Sequence, residues 1–224
     1  MTSAKFDLSL LPPAPDLSFE SELWASGLQH IAGIDEAGRG ALAGPVVAGA
    51  VVLPNLPDLQ QQLEGVRDSK QMTPDDRQHW AGVIRGVALF AEVGSASAAE
   101  VDEVGIIAAT RLAVVRALAA LAQRPEHLLI DHLSVPEARL PETILTKGDC
   151  RSLSIAAASV LAKVSRDEVM CQFDADHPEY GFAEHKGYGT VWHRAVIEEL
   201  GPCVIHRMSF APLRQEEDLQ PPLL

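Results

Sequence analysis

The stretch GIDEAGRGALAGPVVAGAVVLP, residues 33–54, decides the fold of this chain. An apolar lead-in ends at Asp35 and Glu36, a Gly-Arg-Gly turn follows at residues 38–40, and a second apolar run covers residues 46–53. This pattern predicts two strands of a hairpin joined by a polar connection. Carboxylates at the end of a buried strand are unfavourable in a core but can bind a cation. The hairpin is therefore the first candidate for a functional site.

The composition indicates one domain from a reducing compartment. A chain of 224 residues with 47% hydrophobic content can bury a substantial core, and no apolar run approaches the ~20 residues of a membrane span. Residues 1–20 lack the basic start and long apolar centre of a secretory signal. The three cysteines are widely spaced without a CxxC pair, which argues against a zinc site or a disulfide framework. We therefore expect a cytoplasmic protein that makes no contact with a membrane.

The net charge of −13 argues against a nucleic-acid partner, because proteins that bind phosphate usually carry a basic surface. A divalent metal ion, however, reverses the local sign of an acidic cleft, and a few clustered lysines or arginines can serve a small contact area. Charge and motif therefore disagree, and we give the motif more weight.

Hydrophobic periodicity and capping signals predict alternating helices and strands over the rest of the chain. The predicted elements are a helix at 19–27, the two hairpin strands, a helix from Thr73 to about Arg85, a strand at 87–93, a helix from Ser97 to near Gln123, strands at 128–130 and 143–146, a helix at 152–173, a glycine-bearing loop at 181–189 and a helix from Thr190 to Gly201. This order indicates an α/β sheet with helices packed on it. Residues 1–28 are expected to form an N-terminal arm, of which residues 1–20 are extended or mobile, and residues 212–224 a disordered tail.

Two further carboxylates occupy positions like those of Asp35 and Glu36. Asp131 ends a short apolar strand, and Asp149 lies between Gly148 and a helix. Four carboxylates on separate segments can hold two divalent ions that flank a scissile phosphate, with no serine or cysteine nucleophile. Two readings stay open, because neighbouring strand residues point to opposite faces and a lone acid can be a solvated turn residue. Asp149 in particular can be a helix cap.

Seven blocks of the chain, in order, resemble the bacterial ribonuclease HII family, which belongs to the type 2 ribonucleases H. They are the hairpin stretch at 33–54, DSK at 68–70, VDEVGI at 101–106, LLID at 128–131, KGD with SLSIAAASVLAKVSRD at 147–167, HKGYGT at 185–190 and GPCVIHRMSF at 201–210. The resemblance implies a ribonuclease H-like fold, with a mixed five-stranded sheet flanked by helices and additional C-terminal helices, over residues 29–211. It also implies that the family's catalytic carboxylates, which bind Mg²⁺ or Mn²⁺, correspond to Asp35, Glu36, Asp131 and Asp149.

The resemblance implies the reaction as well. Members of the family hydrolyse the RNA strand of RNA/DNA hybrids and cut 5′ of single ribonucleotides embedded in duplex DNA, a step of ribonucleotide excision repair, leaving 3′-hydroxyl and 5′-phosphate ends. Gly38, Arg39 and Gly40 match the loop that reads the 2′-hydroxyl, where glycines let the backbone approach a sugar closely. Tyr188 matches the tyrosine that packs on the neighbouring deoxyribose, where an added hydroxyl would clash. The enzyme is expected to act as a monomer.

Several lesser features complete the expected site. The predicted substrate-binding residues beyond the Gly-Arg-Gly loop and Tyr188 are Lys70, Ser154 and Lys186, and the further candidates for phosphate contacts are Lys147, Lys163 and Arg166. We expect structural roles for His185 and His206. Two departures from the family pattern are Ala41, where proline is usual and whose presence is expected to loosen the turn, and Cys203, where threonine is usual. Residues 215–219, QEEDL, faintly resemble a tail motif that binds a sliding clamp.

Two alternatives share parts of this pattern. A ribonuclease HIII would have the same fold and metal chemistry, but it would carry a sizeable N-terminal domain and lack the Gly-Arg-Gly turn. A non-catalytic module that binds hybrids would not need all four carboxylates, which are intact here.

Overall fold

The computed structural model describes residues 6–7 and 11–214. The helices are α1 (Ser18–Ala25), α2 (Leu59–Gln62), α3 (Pro74–Val87), α4 (Ala98–Val104), α5 (Ile106–Ala120), α6 (Leu153–Asp176), α7 (Phe182–His185) and α8 (Val191–Leu200), and the strands are β1 (Ile31–Ala37), β2 (Val46–Val52), β3 (Phe90–Ala96), β4 (His127–Asp131) and β5 (Glu142–Leu145). Short 3₁₀ turns cover Ser69–Gln71, Pro136–Ala138 and Gly148–Cys150. Most of the predicted tail, residues 215–224, lies outside the described residues, and with it the clamp-like segment 215–219.

The five strands form one mixed sheet in the order β3-β2-β1-β4-β5. Strands β1, β2 and β3 pair antiparallel, while β4 pairs parallel with both β1 and β5. The predicted ribonuclease H-like sheet is therefore confirmed. Because β1 and β4 are parallel neighbours in the middle of the sheet, their carboxyl ends meet at the same edge.

Helix α6 packs on one face of the sheet and α5 on the other. The close contact of α6 depends on glycine, because a Cβ at Gly33 would overlap the Ser154 carbonyl and one at Gly49 would overlap the Ala158 carbonyl oxygen. The backbone of α6 therefore rests directly on the backbones of β1 and β2. This spacing brings side chains of α6 to the carboxylate end of β1.

Two predicted elements differ from the structure. The third strand was expected at 87–93 but lies at Phe90–Ala96, because α3 continues to Val87 and its Val83 and Val87 side chains pack against the core. The capping box at Ser97 is confirmed, but the long helix expected behind it breaks into α4 and α5 at Gly105, whose φ of 79° is not helical. A single turn of helix, α7, also lies within the predicted glycine-bearing loop.

The described part of the expected N-terminal arm is packed on the domain. The carboxylate of Glu20, on α1, is only 1% exposed and accepts hydrogen bonds from the Ser152 hydroxyl (2.6 Å) and from the backbone N–H (2.9 Å) and hydroxyl (2.6 Å) of Ser154. These groups form the first turn of α6, where a carboxylate also interacts favourably with the helix dipole. The short helix expected at 19–27 is therefore confirmed as α1, which is packed on the domain, whereas the domain limits at residues 28 and 211 stay predictions.

No helix among the described residues is long and apolar enough to cross a membrane. All three cysteines, Cys150, Cys171 and Cys203, carry free thiols.

Candidate active site

The sheet brings two of the predicted carboxylates together. Ile34 of β1 lies beside Ile130 of β4, so Asp35 and Asp131 are the next residues at the same edge. Ile31 and Leu129 pack in one cluster on the α6 side of the sheet. Since strand side chains alternate between faces, Asp35 and Asp131 also point to the α6 side, where they are neighbours.

The 3₁₀ turn Gly148–Cys150 brings the third carboxylate to the same place. The backbone N–H of Gly148 donates to Oδ1 of Asp131 at 2.7 Å, so the turn is tied to the end of β4. Asp149 follows and is 4% exposed. The alternative that Asp149 caps the next helix is not what the structure has, because the Ser152 side chain caps α6.

Glu36 completes the group despite the alternation of strand side chains. It lies one residue from the end of β1, and its carboxylate is 3.5 Å from the Arg39 guanidinium. Asp35, Glu36 and Asp131 all line one cleft of 470 Å³. The end of the strand and the turn that follows thus let two adjacent acids reach the same cleft.

The four carboxylates are close enough for their negative charges to act on one another. Burial raises the pKa of Asp35 well above its usual value, and the charges of Glu36, Asp131 and Asp149 raise it further, against a hydrogen bond from Ser159. Burial and Asp131 likewise raise the pKa of Glu36 and of Asp149. This repulsion between like charges costs free energy. A cation bound among the carboxylates would reduce the repulsion.

Lys70 is a second cation beside this group, after Arg39. Its ammonium lies 3.7 Å from Asp149 and 4.0 Å from Asp68. Burial lowers the pKa of Lys70, but the charges of Asp35, Asp68, Asp149 and Asp131 outweigh it, so the net shift is upward. Lys70 is therefore held charged at the cleft, as expected for a residue that contacts phosphate.

The residues fit a hard divalent cation. Oδ1 of Asp149 is buried and has no hydrogen-bond partner among the described residues, which leaves an oxygen lone pair free. The four predicted ligands offer only carboxylate oxygens, the donor type that Mg²⁺ and Mn²⁺ prefer. Asp68, Asp149 and Cys150 extend the acidic edge, since one potential ligand atom of each lies within 4.8 Å of the others.

The cleft also resolves the conflict between charge and motif. Four basic side chains line it beside the carboxylates, namely Arg39, Lys70, Arg77 and Lys163. The net charge of −13 therefore describes the whole chain and not this surface. A phosphate backbone would meet basic side chains around an acidic centre.

The Gly-Arg-Gly turn forms one wall of the cleft. Gly38 has a φ of 86°, a conformation that favours glycine. The N–H of Ala41 donates to the Gly38 carbonyl at 3.2 Å, a bond that the usual proline cannot make. Ala41 thus adds a hydrogen bond within the turn, and its effect on the rigidity of the turn stays a prediction. Arg207, which is fully buried, donates to the carbonyls of Arg39 (3.0 Å) and Gly44 (2.8 Å) and holds the turn from below.

Tyr188 forms a second wall of the cleft and is 37% exposed. Its ring lies over two cations, at 5.2 Å from the Arg166 guanidinium and 5.9 Å from the Lys163 ammonium. Its backbone carbonyl is 3.0 Å from Nδ1 of the fully buried His193. Tyr188 therefore presents an exposed ring on a rigid support.

Three neutral histidines, His185, His193 and His206, support Tyr188. A hydrogen bond joins His193 to His206, and the rings of His185 and His193 stack. The Cys203 N–H donates to Nδ1 of His206, which leaves Nε2–H of His206 to donate to Nε2 of His193 at 3.1 Å, and Nδ1–H of His193 to donate to Tyr188. The His185 ring stacks on His193 at 4.0 Å. A proton added to His193 would face an N–H of His206. Burial, and then the neighbouring His185, accordingly lower the pKa of His193 to about 4.

This arrangement predicts a stability that depends on pH. Because His193 takes up a proton near pH 6.5 when unfolded but only near pH 4 when folded, the unfolded chain binds more protons between these values. The free energy of unfolding should thus fall on acidification, by on the order of 2 kcal/mol over this window. Denaturant unfolding from pH 8 to pH 4 measures the slope. The slope should be shallower in His193→Gln than in the wild type. It should equal the wild-type slope in His79→Gln, because the His79 side chain is exposed. Parallel curves for wild type and His193→Gln would contradict this prediction.

Four of the predicted candidates for substrate or phosphate contacts do not line the cleft: Lys147, Ser154, Arg166 and Lys186. Ser154 is fully buried and bonded to Glu20, and Lys186 donates to the Ala183 carbonyl (2.6 Å) and Cys171 (3.0 Å) in a neighbouring groove. Arg166 is also fully buried, so it does not reach a substrate phosphate. The other substrate-binding candidates, Gly38, Arg39, Gly40, Lys70 and Tyr188, all line the cleft.

Sequence reasoning missed three residues that shape the site: Arg77, Ser159 and Arg207. Arg77 lines the cleft, and Ser159 bonds to both Asp35 and Ser69, the latter at 2.9 Å. Helical spacing offered a signal for Ser159, because it follows Ile155 by four residues on the face of α6 that meets β1. Arg207 carried no such signal, since its contacts are with residues more than 160 positions away.

Comparison with known proteins agrees with this geometry. The ribonuclease HII family profile matches residues 32–213. The ribonuclease HII of Synechococcus sp. (strain JA-3-3Ab) is 52% identical over 206 residues, covering 92% of this chain and 91% of that protein.

Solved structures show the same fold. The ribonuclease HII of Archaeoglobus fulgidus, solved as a complex with PCNA, is 28% identical with a TM-score of 0.69, over 84% of this chain and 97% of that one. The ribonuclease H2 of Pyrococcus horikoshii OT3 is 25% identical with a TM-score of 0.68, over 83% and 95% of the two chains. The chain therefore belongs to the ribonuclease HII family of endonucleases, which implies cleavage of the RNA strand of RNA/DNA hybrids.

Proposed function

We propose that this enzyme cuts 5′ of single ribonucleotides embedded in duplex DNA, as well as the RNA strand of hybrids, and leaves 3′-hydroxyl and 5′-phosphate ends. One observation carries the proposal: the cleft that holds the buried carboxylates is also lined by the Gly-Arg-Gly turn and by the exposed Tyr188 ring. A candidate centre for phosphodiester hydrolysis thus has two candidate sugar-reading elements beside it.

The proposed metal ligands are Asp35, Glu36, Asp131 and Asp149. Mg²⁺ or Mn²⁺ bound there in a two-metal arrangement would activate water and stabilise the departing 3′-oxygen. The carboxylates are preorganised for this role, because Ser159 bonds to Asp35 and the Gly148 N–H bonds to Asp131. Preorganised charges cost little reorganisation during the reaction.

The basic residues of the cleft position the substrate backbone. Lys70 is the proposed contact for the phosphate next to the carboxylates, since its side chain is 77% exposed and its ammonium lies 3.7 Å from Asp149. Arg77 is less free, because it donates to the carbonyls of Ser69 (2.9 Å) and Met72 (2.6 Å). We therefore assign Lys70 to phosphate binding and Arg77 to holding the loop that carries Lys70.

Selectivity for the junction would come from the two walls. The backbone of Gly38 and Gly40 can approach the ribose 2′-hydroxyl, the group that separates RNA from DNA. The Tyr188 ring would pack on the next sugar and exclude a second hydroxyl. A substrate with one ribonucleotide followed by deoxyribonucleotides would fit both the Gly-Arg-Gly turn and the Tyr188 ring.

The proposal is tested with duplex DNA carrying one ribonucleotide and with an all-RNA hybrid, each with Mg²⁺, Mn²⁺ or EDTA. Wild-type enzyme should cut the first substrate at one position, 5′ of the ribonucleotide, and chelation should stop both reactions. Cleavage of long hybrids without incision at single ribonucleotides would instead favour a ribonuclease HIII-type activity, and binding without cleavage a non-catalytic role.

Substitution of Tyr188 tests the proposed exclusion directly. Tyr188→Ala should lower the preference for the single ribonucleotide over the all-RNA hybrid by about 10-fold, because the surface that excludes a second hydroxyl is lost. Tyr188→Phe retains the ring and should retain the preference. The measurement is kcat/KM on each substrate, and an unchanged ratio in Tyr188→Ala would refute the role of the ring.

A further inference from the structure

Arg166 is a fully buried cation that has no carboxylate partner in any ion pair or hydrogen bond described for residues 11–214. Its guanidinium instead donates to three backbone carbonyls: Nε to Pro45 (2.9 Å), Nη2 to Ala43 (3.1 Å) and Nη1 to Lys186 (2.9 Å). Burial of an arginine without an opposite charge is costly. A residue retained at such a cost is a candidate for a role in function.

The three carbonyls lie on the two chain segments that carry the Gly-Arg-Gly turn and Tyr188. Ala43 and Pro45 end the connection that begins with the Gly-Arg-Gly turn, and Lys186 precedes Tyr188 by two residues. Arg166, on α6, thus joins both recognition elements to the helix that also carries Ser159. No other arginine among the described residues donates to both segments.

Arg166 also touches both recognition residues. A Cβ at Gly38 would lie 2.7 Å from Cζ of Arg166 and would overlap Nε, so Gly38 rests against the guanidinium. On the other side, Cζ is 5.2 Å from the centre of the Tyr188 ring, within cation–π range. One rigid planar group therefore separates Gly38 from Tyr188.

We propose that Arg166 is a positioning residue for substrate selectivity, which fixes the separation between the Gly38 turn and the Tyr188 ring. This inference rests on the proposed function of the two walls. A planar fork with five N–H donors can serve carbonyls on both sides and support a ring, whereas a lysine ammonium has neither the plane nor the reach of the fork. The guanidinium thus holds the Gly38 turn and the Tyr188 ring, the two groups proposed to contact the sugars, at one fixed distance from each other.

The test compares Arg166→Lys with wild type on the two substrates used above. We expect the ratio of kcat/KM for the single ribonucleotide to kcat/KM for the all-RNA hybrid to fall about 10-fold, as in Tyr188→Ala. In the double variant that combines Arg166→Lys with Tyr188→Ala, the two reductions of this ratio should not add, because both substitutions act through the position of the Tyr188 ring. Equal losses on the two substrates, with the ratio unchanged, would reduce Arg166 to a structural role and overturn the inference.

Arg111→Lys is the matched control. Arg111 also donates from Nε to a backbone carbonyl, that of Ser134 at 2.9 Å, but it lies on α5, on the opposite side of the sheet from α6. This control should keep the wild-type ratio. A fall of the same size in Arg111→Lys would mean that the ratio reports general destabilisation, which would also overturn the inference.

A second measurement does not depend on activity. The chain has two tyrosines, Tyr180 and Tyr188, so fluorotyrosine labelling gives two ¹⁹F NMR signals. Arg166→Lys should shift the Tyr188 signal and leave that of buried Tyr180 in place. If Arg166→Lys does not fold, Gly38→Ala supplies the test, because the added methyl must displace the guanidinium. A Tyr188 signal unmoved in the variant that folds would overturn the inference, even if wild-type enzyme failed to cut single ribonucleotides.

Discussion

Asp35→Asn should abolish cleavage of both substrates, with a loss of at least about 10³-fold in kcat/KM. The change keeps the shape of the side chain but removes one of the charges that the proposed metal ions need. Asp35 is the most central carboxylate, since its pKa is raised by burial and by each of Glu36, Asp131 and Asp149. The measurement is initial rates with Mg²⁺ at neutral pH.

The same variant should be as stable as the wild type, or more stable, when no metal is present. Removing a buried charge relieves repulsion among the remaining carboxylates, so loss of activity and gain of stability should occur together. Added Mg²⁺ should raise the melting temperature of the wild type and have a weaker effect on Asp35→Asn, because the ligand stabilises only the state that binds it.

Asp176→Asn is the control for this experiment. Asp176 ends α6 and is exposed, so the same chemical change there should leave both the rate and the Mg²⁺ effect unchanged. Undiminished cutting by Asp35→Asn, in protein free of contaminating nuclease, would refute the assignment of the four carboxylates.

Gly33→Ala should have the largest effect on stability, a loss of at least about 3 kcal/mol in the free energy of unfolding. The new Cβ would overlap the Ser154 carbonyl and lie 2.5 Å from the backbone nitrogen of Ile155. Backbone atoms in the first turns of α6 cannot rotate away as a side chain can. The sheet and α6 would have to separate, and Asp35, two residues along the same face, would move with β1.

Gly82→Ala is a matched control with the opposite expected sign. Gly82 lies within α3, and a Cβ there meets no atom within 4 Å. Alanine should therefore stabilise the helix, by about 0.5–1 kcal/mol. Both variants are compared by denaturant unfolding. Equal stabilities for Gly33→Ala and wild type would show that α6 does not lie as close to β1 as described.

Much of the fold could be predicted from local signals. The caps at Thr73, Ser97 and Thr190 are confirmed, because a capping side chain bonds to backbone only two or three residues away. The break at Gly105 and the late start of β3 could not be predicted in this way. Whether a valine-rich stretch continues a helix or begins a strand depends on the surface against which it packs.

The candidate site, like the fold, could be predicted from the sequence only in part. Sequence patterns singled out Asp35, Glu36, Asp131 and Asp149, and the structure brings them to one edge of the sheet. Patterns also suggested Ser154, Lys186 and Arg166 as phosphate contacts, but these side chains are buried or turned into another groove. The type of a residue is local information, whereas its exposure depends on segments that are distant in the chain.

The sequence by itself determined the family, the order of the strands along the chain and the four acids, because each is recorded in residue identity and short spacing. Only the tertiary structure decided that Asp35 and Asp131 share a face and that Arg166 lies beneath both walls of the cleft. The physical reason is that strand pairing and helix packing join residues more than 100 positions apart, as in the bond from Arg166 to Ala43, which are 123 positions apart. No local pattern specifies such distant contacts.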